Sequence, residues 1–162
     1  QLSLLESHRD SLDKEEIDLH EVIQAVLERL QLQIRQQEAR IHLHLDLADS
    51  LYWGDFDQLT NAIYNLLDNA LKYAGPEPEI LVESRLRDDR KQIVVRDQGP
   101  GIPLAEQSEV FERFYRSQNG DQYRGKGFGI GLSYVKAIAQ AHGGSLRLNN
   151  AYQDGCEFIL SL

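Results

Sequence analysis

The chain has 162 residues, of which 41% are hydrophobic and 27% are charged, the proportions of a soluble globular domain with its own core. Its net charge of −9 at pH 7 argues against nucleic-acid-binding proteins that grip the phosphate backbone with basic side chains. No apolar run is long enough to span a membrane, and no signal-peptide pattern is present.

The start of the chain and its single cysteine bear on whether the chain is a fragment and on its redox compartment. The chain begins at Gln1 and contains no methionine, so we interpret it as a fragment of a longer protein, and a membrane anchor could lie outside it. The lone Cys156 has no partner for an internal disulfide, which indicates a reducing compartment. The alternative for Cys156 is a small apolar residue in the last strand.

The first third of the chain predicts a helix tail, a strand and a helix. Leucines at roughly helical spacing predict the tail over residues 1–12, and residues 16–20 alternate like a short strand. Asp18 then caps a helix, with Glu21 at the capping-box position. The buried face of this helix is predicted to contain Val22, Ile23, Val26, Leu27, Leu30 and Ile34.

A strand is predicted next, because residues 41–47 alternate strictly between apolar and polar side chains. His42 and His44 lie on one face of that strand, which raises the question of a metal site. The sequence places no third ligand beside them, so exposed strand residues are the favoured interpretation.

The helix that organises the chain begins at Asp55, with Gln58 at the capping-box position, and ends near residues 74–76. Asn65, Asn69 and Lys72 share one flank of it, at positions i, i+4 and i+7. Two carboxamides and an ammonium there could hold a hydrated cation and a phosphate chain; the alternative is an amphipathic helix with solvated asparagines. The apolar stripe beside them contains Leu59, Ala62, Ile63, Leu66, Leu67 and Ala70.

The second half of the chain predicts strands, one further helix and a polar loop that we expect to be mobile. In order, these are strands over 79–87 and 92–97, a short helical stretch ending at 111–116, the loop over 117–128, a helix over 132–141, and strands over 145–148 and 156–162.

Two glycine motifs flank that loop. Gly127-x-Gly129-x-Gly131 leads into a helix, where backbone amides can approach an anion closely; a tight turn with close helix packing is the alternative. Asp97-x-Gly99-x-Gly101 follows a strand, and its carboxylate can accept a hydrogen bond from an amine such as adenine N6. The alternative there is an ordinary turn at the end of a strand.

In this order and spacing, the motifs resemble the catalytic, ATP-binding domain of a sensor histidine kinase, in the Bergerat-type GHKL ATPase superfamily. Residues 65–73 resemble the N box, 97–101 the G1 box, 111–115 the F box and 127–132 the G2 box. The resemblance implies an α/β two-layer sandwich, in which helices cover one face of a mixed, mostly antiparallel sheet. It also implies two parts: residues 1–12 as the tail of an upstream dimerisation helix, and residues 13–162 as the catalytic domain.

The resemblance further implies roles for individual residues. Asn69 would ligate Mg²⁺, Asn65 would support the metal and the phosphates, and Lys72 would reach the phosphates. Asp97 would read adenine N6, with Tyr73 packed near the base. Asn65 and Lys72 are thus expected to be catalytic, together with Arg116. The other implied nucleotide contacts are Gly99, Gly101, Ile102, Tyr115, Arg116, Arg124, Gly125, Lys126, Gly127, Phe128, Gly129, Ile130, Gly131 and Leu132. Residues 116–128 would form an ATP lid, where Phe128 departs from the usual small residue.

The residue at position 65 bears on the reaction. ATP-hydrolysing members of the superfamily carry a glutamate there as general base, whereas Asn65 has no useful basicity. Transfer to a neutral imidazole needs no strong base and is therefore favoured over hydrolysis. No histidine of the chain matches the family's acceptor motif; His20-Glu21 lacks the residues that should follow, so we expect the acceptor upstream of residue 1.

The resemblance implies ATP and Mg²⁺ as cofactors, and an upstream dimerisation and acceptor domain and a response regulator as partners. It also implies a homodimeric full-length protein, with this domain in the cytoplasm and an anchor in the inner membrane. No nucleic-acid partner is expected. The alternatives are a degenerate nucleotide-binding sensor module, and a serine kinase or ATPase of the same superfamily.

Overall fold

A computed structural model describes residues 12–112 and 131–162 of the chain, and these contain seven strands and three α-helices. In chain order the elements are β1 (Glu15–Asp18), α1 (Leu19–Gln36), β2 (Arg40–Leu45), β3 (Leu51–Gly54), α2 (Phe56–Tyr73), β4 (Glu79–Arg87), β5 (Arg90–Asp97), a 3₁₀ turn (Leu104–Glu106), α3 (Gly131–Ala141), β6 (Ser145–Leu148) and β7 (Glu157–Ser161).

Five of the strands form one sheet in the order β2-β4-β5-β7-β6. Among the described strands of this sheet, only β2 and β4 run parallel, and every other neighbouring pair is antiparallel. Parallel strands need a crossover, and the segment containing β3 and α2 supplies it between β2 and β4. The mixed, mostly antiparallel sheet covered by helices is confirmed.

The core lies between the helices and one face of the sheet. The predicted stripe of α2 is buried throughout, with Leu59, Ile63 and Leu67 fully enclosed. Alternate residues of β4, Ile80 and Val82, pack against the same cluster, as expected for a strand with one face on the core. On α1 the predicted apolar face is confirmed, although Leu27 and Ile34 are only partly buried.

Polar side chains cover the opposite face of the sheet. Val94 and Ile159 pair across β5 and β7 and are buried there, outside the main core cluster. The Arg96 guanidinium forms an ion pair with the buried carboxylate of Glu157, and its carbon Cζ lies 5.0 Å from the centroid of the Tyr152 ring. Long side chains of this kind cover apolar residues with their stems while their charged ends stay paired.

The start of α2 is tied to the end of α3 through a buried histidine. The N-cap residue Asp55 accepts the backbone N–H of Gln58 at 2.9 Å and that of Asp13 at 3.0 Å. Its own N–H donates to Nε2 of His142 at 3.1 Å, while Nδ1 of His142 donates to the carbonyl of Ile138 at 2.8 Å. Burial lowers the pKa of His142, which is therefore a neutral structural ring.

Strand β3 was not predicted. Within the part of the chain that the structure describes, it pairs only with β1, in a separate two-stranded ribbon where Tyr52 lies opposite the buried Ile17. Leu51 and Trp53 of β3 are 48% and 65% exposed, so the strand lacks the usual pattern of buried apolar and exposed polar residues.

Other differences concern the extent of elements. Strands β4 and β6 have the predicted bounds, whereas β2 covers Arg40–Leu45 and β7 covers Glu157–Ser161, both shorter than predicted. In the described part of the predicted helical stretch before residue 116, only the 3₁₀ turn Leu104–Glu106 is helical. Of the helix tail predicted over residues 1–12, residues 1–11 lie outside the described residues, and residue 12 is not helical. Within the described ranges, no helix has the length and apolarity to cross a membrane.

Candidate nucleotide-binding site

The three polar residues predicted on one flank of α2 lie beside the beginning of α3. Asn65, Asn69 and Lys72 are all partly exposed, next to the buried stripe. A β-carbon built on Gly131 would lie 3.1 Å from Oδ1 of Asn65 and 3.8 Å from Nδ2 of Asn69. The fold thus brings the last glycine of one motif against the two asparagines of another, although 62 positions separate Gly131 from Asn69 in the chain.

The side chain of Asn65 has a defined orientation. Its amide nitrogen donates to the backbone carbonyl of Asn61 at 2.8 Å, one turn earlier in α2. A carbonyl only accepts hydrogen bonds, so the amide nitrogen must face it, and Oδ1 points towards Gly131. The oxygen of Asn65 is therefore the atom presented to whatever occupies the space beside α3.

Lys72 forms a salt bridge within α2. Its ammonium lies 2.5 Å from Oδ2 of Asp68, a carboxylate whose other oxygen accepts from Gln33 of α1 at 3.3 Å. The side chain of Asp68 is only 15% exposed, so this pair is shielded from water on the carboxylate side. Contact between Lys72 and a phosphate stays a prediction, and it requires the ammonium to exchange Asp68 for the phosphate.

Asp97 is a buried acid at the end of β5, with 5% exposure. Its Oδ1 accepts the backbone N–H of Gly99 at 2.9 Å and that of Cys156 at 3.2 Å. Burial raises the pKa of Asp97, and these two N–H donors oppose that shift. The carboxyl group is therefore fixed in position by the backbone.

The turn after Asp97 packs against the end of α2. A β-carbon on Gly99 would come within 2.7 Å of the carbonyl oxygen of Tyr73, a distance that only glycine tolerates. Tyr73 itself is 40% exposed. The acidic turn and the end of the asparagine helix therefore meet, which brings the two predicted halves of the site together.

The turn between β6 and β7 also belongs to this site, and sequence reasoning missed it. Gly155 has φ of 150°, and a β-carbon on it would lie 2.0 Å from the carbonyl oxygen of Asp97. The backbone N–H of Asp97 donates to the carbonyl of Cys156, and the N–H of Cys156 donates to the Asp97 carboxylate. Burial, together with that carboxylate, raises the pKa of the Cys156 thiol to about 12. The Asp154-Gly155 pair signals a turn, but its contact with Asp97 follows only from the pairing of β5 with β7.

Two further predicted contacts are partly buried against the core. Ile102 follows Gly101, whose φ is 73°, and its carbonyl accepts from the side chain of Gln107 at 3.0 Å. Leu132 lies in the first turn of α3. Their contact with a nucleotide stays a prediction. The remaining predicted site residues lie outside the described part of the chain: Tyr115, Arg116, Arg124, Gly125, Lys126, Gly127, Phe128, Gly129 and Ile130.

The described residues contain no preformed cluster of metal-ligating side chains. Among residues 12–112 and 131–162, no group of three or more His, Cys, Asp and Glu side chains is placed to hold a metal ion. His42 and His44 are exposed on β2, and Nε2 of His42 lies 4.0 Å from a carboxylate oxygen of Glu79.

Comparisons with known proteins identify the family of the chain. The family model for histidine kinase-, DNA gyrase B-, and HSP90-like ATPases matches residues 54–162. The sensor protein RprX of Bacteroides fragilis is 33% identical over 164 residues, which cover 100% of this chain and 32% of the relative. The histidine-protein kinase/phosphatase MprB of Mycobacterium avium is 39% identical over 142 residues, covering 87% of this chain and 26% of the relative.

A solved structure also matches the fold of this chain. The structure of the mycobacterial sensor histidine kinase MprB matches with a TM-score of 0.75 and 33% identity, covering 91% of this chain and 97% of that one. The present chain spans about a third or less of the two curated relatives described above. The chain belongs to the histidine kinase-, DNA gyrase B-, and HSP90-like ATPase family, as a catalytic ATPase domain of the sensor histidine kinase type.

Proposed function

We propose that this domain transfers the γ-phosphoryl group of ATP to a histidine on an upstream dimerisation domain, for relay to a response regulator. The observation that carries the proposal is the contact between Gly131 and the Asn65–Asn69 pair. A helix N-terminus attracts phosphate oxygens, and the carboxamide oxygens beside it suit a hard cation. Together they form a site for a phosphate chain with its metal.

The side chains at this position fit Mg²⁺. Magnesium is usually bound in proteins through one or two oxygen ligands plus substrate phosphates and waters, so a complete protein cage is not needed. Asn69 would hold the ion through its carboxamide oxygen, and Asn65 would support it with the oxygen that points towards Gly131. When bound, Mg²⁺ neutralises charge on the phosphates.

The adenine would lie at the other end, against Asp97. Oδ1 of Asp97 is already engaged by two backbone N–H groups. The carboxyl group can still accept a hydrogen bond from the exocyclic amine of adenine, whereas guanine presents a carbonyl at the equivalent position. The site would therefore prefer ATP to GTP.

The proposed reaction needs positioning more than base strength. A ring nitrogen of the neutral acceptor imidazole attacks the γ-phosphorus, and an N–P bond forms. The bond from that phosphorus to the β–γ bridging oxygen breaks, and ADP leaves with the electron pair. The other ring N–H releases its proton to solvent. Asn65 would help to hold the phosphates but takes no proton, which disfavours the competing attack by water.

The setting of the domain is part of the proposal. We place it in the cytoplasmic part of a homodimeric sensor kinase that is anchored in the inner membrane by segments outside this chain. The names of RprX and MprB, both sensor or signal-transduction proteins, support this placement.

Calorimetric titration with ATP, with and without Mg²⁺, tests the metal assignment. Asn69→Ala should lower the affinity for Mg²⁺-ATP by about tenfold or more. The variant loses a polar contact with a charged group, and such a contact is worth about 1.5–3 kcal/mol. Metal-free binding should change little. Gln31→Ala removes an exposed carboxamide from α1 and serves as the matched control. Unchanged Mg²⁺-ATP affinity in folded Asn69→Ala would refute the assignment.

A further inference from the structure

The ammonium group of Lys72 has a charged partner within its own helix. Its Nζ lies 2.5 Å from Oδ2 of Asp68, and the two residues have the i, i+4 spacing, with the acid first, that favours such ion pairs. The side chain of Lys72 is 33% exposed and that of Asp68 is 15% exposed, so water and salt screen this pair less than a pair on an open surface. A carboxylate therefore holds the lysine that is predicted to reach the phosphates.

Asp68 is also tied to the neighbouring helix. Its Oδ1 accepts a hydrogen bond from Nε2 of Gln33 in α1 at 3.3 Å, and Gln33 is partly buried. The two contacts use different oxygens, so the carboxylate is held on both sides. If the ammonium of Lys72 moves away, the carboxylate stays beside α1 and loses its cationic partner.

The surface of α2 places Lys72 between Asp68 and the predicted metal ligand Asn69. Because a helix turns by about 100° per residue, Lys72 lies about 40° around the axis from Asp68 and about 60° in the opposite direction from Asn69. Asn69 in turn lies near Gly131, at the proposed phosphate site. Rotation within the flexible lysine side chain can therefore carry the ammonium from the acid towards the phosphates.

We propose that Asp68 competes with the phosphates of ATP for Lys72 and thereby lowers the affinity of the site for nucleotides that carry phosphates. This inference rests on the proposed function, in which Lys72 contacts a phosphate. Binding then exchanges one anionic partner of the ammonium for another, so only the difference between the two contacts contributes to affinity. The exchange also removes the cation from a carboxylate that is largely shielded from water, which adds to its cost.

The competition should affect the phosphates and not the base. The proposed adenine end is fixed by the hydrogen bonds that Gly99 and Cys156 donate to the carboxylate of Asp97. Adenosine carries no phosphate and offers the ammonium of Lys72 no competing anion. Loss of the charge on Asp68 should therefore strengthen binding of Mg²⁺-ATP and leave binding of adenosine unchanged.

Asp68→Asn tests this because it removes the charge and keeps an oxygen that can accept from Gln33. Affinities for Mg²⁺-ATP are measured by calorimetry, and those for adenosine by ligand-observed NMR. We expect Mg²⁺-ATP to bind about two- to fivefold more tightly, the range that a partly exposed ion pair allows, and adenosine to bind as before. Asp57→Asn removes an exposed carboxylate from the first turn of the same helix and is the matched control, with both affinities unchanged.

A double variant tests whether the effect runs through Lys72. Lys72→Met alone should weaken binding of Mg²⁺-ATP, and in that background Asp68→Asn should give no gain, because the ion pair is already absent. The same gain in both backgrounds would mean that Asp68 repels the phosphates directly, and this would overturn the inference. An unchanged or lower affinity for Mg²⁺-ATP in Asp68→Asn, or an equal gain in Asp57→Asn, would overturn it as well.

Nitrogen NMR of the lysine ammonium groups gives a test that needs no substitution at Asp68. The signal of Lys72, identified by its loss in Lys72→Met, should shift when Mg²⁺-ATP is added and stay in place with adenosine. A signal that stays in place while Mg²⁺-ATP binds would overturn the inference. If the unmodified chain failed to bind Mg²⁺-ATP, the proposed function would fail first and this inference with it; intact binding with unchanged affinity in Asp68→Asn would overturn the inference alone.

Discussion

Gly155 packs so closely against Asp97 that a β-carbon on it would lie 2.0 Å from the carbonyl oxygen of Asp97. Real β-carbons essentially never approach that closely, so the glycine is required by its neighbour as well as by its φ of 150°. The proposed adenine end of the site is therefore built from two turns, one that follows β5 and one that precedes β7.

Replacement of Gly155 should disturb both stability and binding. Gly155→Ala combines an unfavourable backbone conformation, about 1–2 kcal/mol, with overpacking that costs roughly 1–3 kcal/mol more. Gly143→Ala is the matched control, because Gly143 also has a positive φ of 75° but no atom within 4 Å of the added carbon. Thermal unfolding should show a clearly larger loss for Gly155→Ala. Equal losses of stability in the two variants would mean that the contact between Gly155 and Asp97 does not contribute to stability.

Asp97→Asn should lower the preference for ATP over GTP without unfolding the protein. The substitution keeps an oxygen for the N–H groups of Gly99 and Cys156 but permits an amide donor opposite the amine of adenine. A donor facing a donor costs roughly 1–3 kcal/mol, so the preference for ATP over GTP should fall by about one to two orders of magnitude. Competition titrations measure this ratio. An unchanged ratio would make Asp97 a turn residue only.

The same variant should be more stable than the unmodified protein at neutral pH. Burial raises the folded pKa of Asp97 above its ordinary value of 3.8. The stability that this group contributes is therefore fully present below 3.8 and is lost as pH rises through the folded pKa. Asp97→Asn cannot ionise and avoids that loss. Denaturant unfolding at pH 7 should show a higher free energy of unfolding, and a lower one would contradict the account.

His142 should make the fold sensitive to acid. Burial lowers its folded pKa below the ordinary value of 6.5, so its contribution to stability is fully present above 6.5. That contribution is lost as pH falls from 6.5 towards the folded pKa, because the unfolded state binds the proton first. Protonation would also place an N–H of the ring against the N–H of Asp55.

Unfolding curves between pH 7.5 and about 5 test this sensitivity. His142→Gln should flatten the decline of unfolding free energy with falling pH, although it lowers stability at pH 7.5 because the ring's packing is lost. His44→Gln removes an exposed histidine from β2 and should leave the slope unchanged. A slope that persists in His142→Gln would assign the acid sensitivity to other groups.

The local features of the chain were readable from its sequence because they depend on neighbours in the chain. Asp18 and Asp55 were predicted as helix caps, and both accept hydrogen bonds from the first turns of their helices. The buried stripe of α2 was predicted residue by residue. Periodicity and capping depend on residues close in the chain, so they can be recognised without knowledge of the fold.

The features that were missed depend on contacts distant in the chain. Strand β3 exists because β1 pairs with it, and its exposed Leu51 and Trp53 mask the usual alternation. Gly155 belongs to the site because β7 pairs with β5. The salt bridge of Lys72 with Asp68 has the i, i+4 spacing that favours such pairs, and the predicted phosphate contact of Lys72 did not include it.

The proposed reaction transfers a phosphoryl group to a histidine outside this chain. The direct measurement incubates the chain with γ-labelled ATP and Mg²⁺, alone and with the proposed upstream dimerisation domain supplied as a separate chain. We expect no stable label on this chain alone and slow ATP hydrolysis. Label on the upstream domain should be lost in acid and kept in alkali, as for a phosphoramidate. Label on this chain alone, or alkali-labile label on the upstream domain, would contradict the proposed reaction.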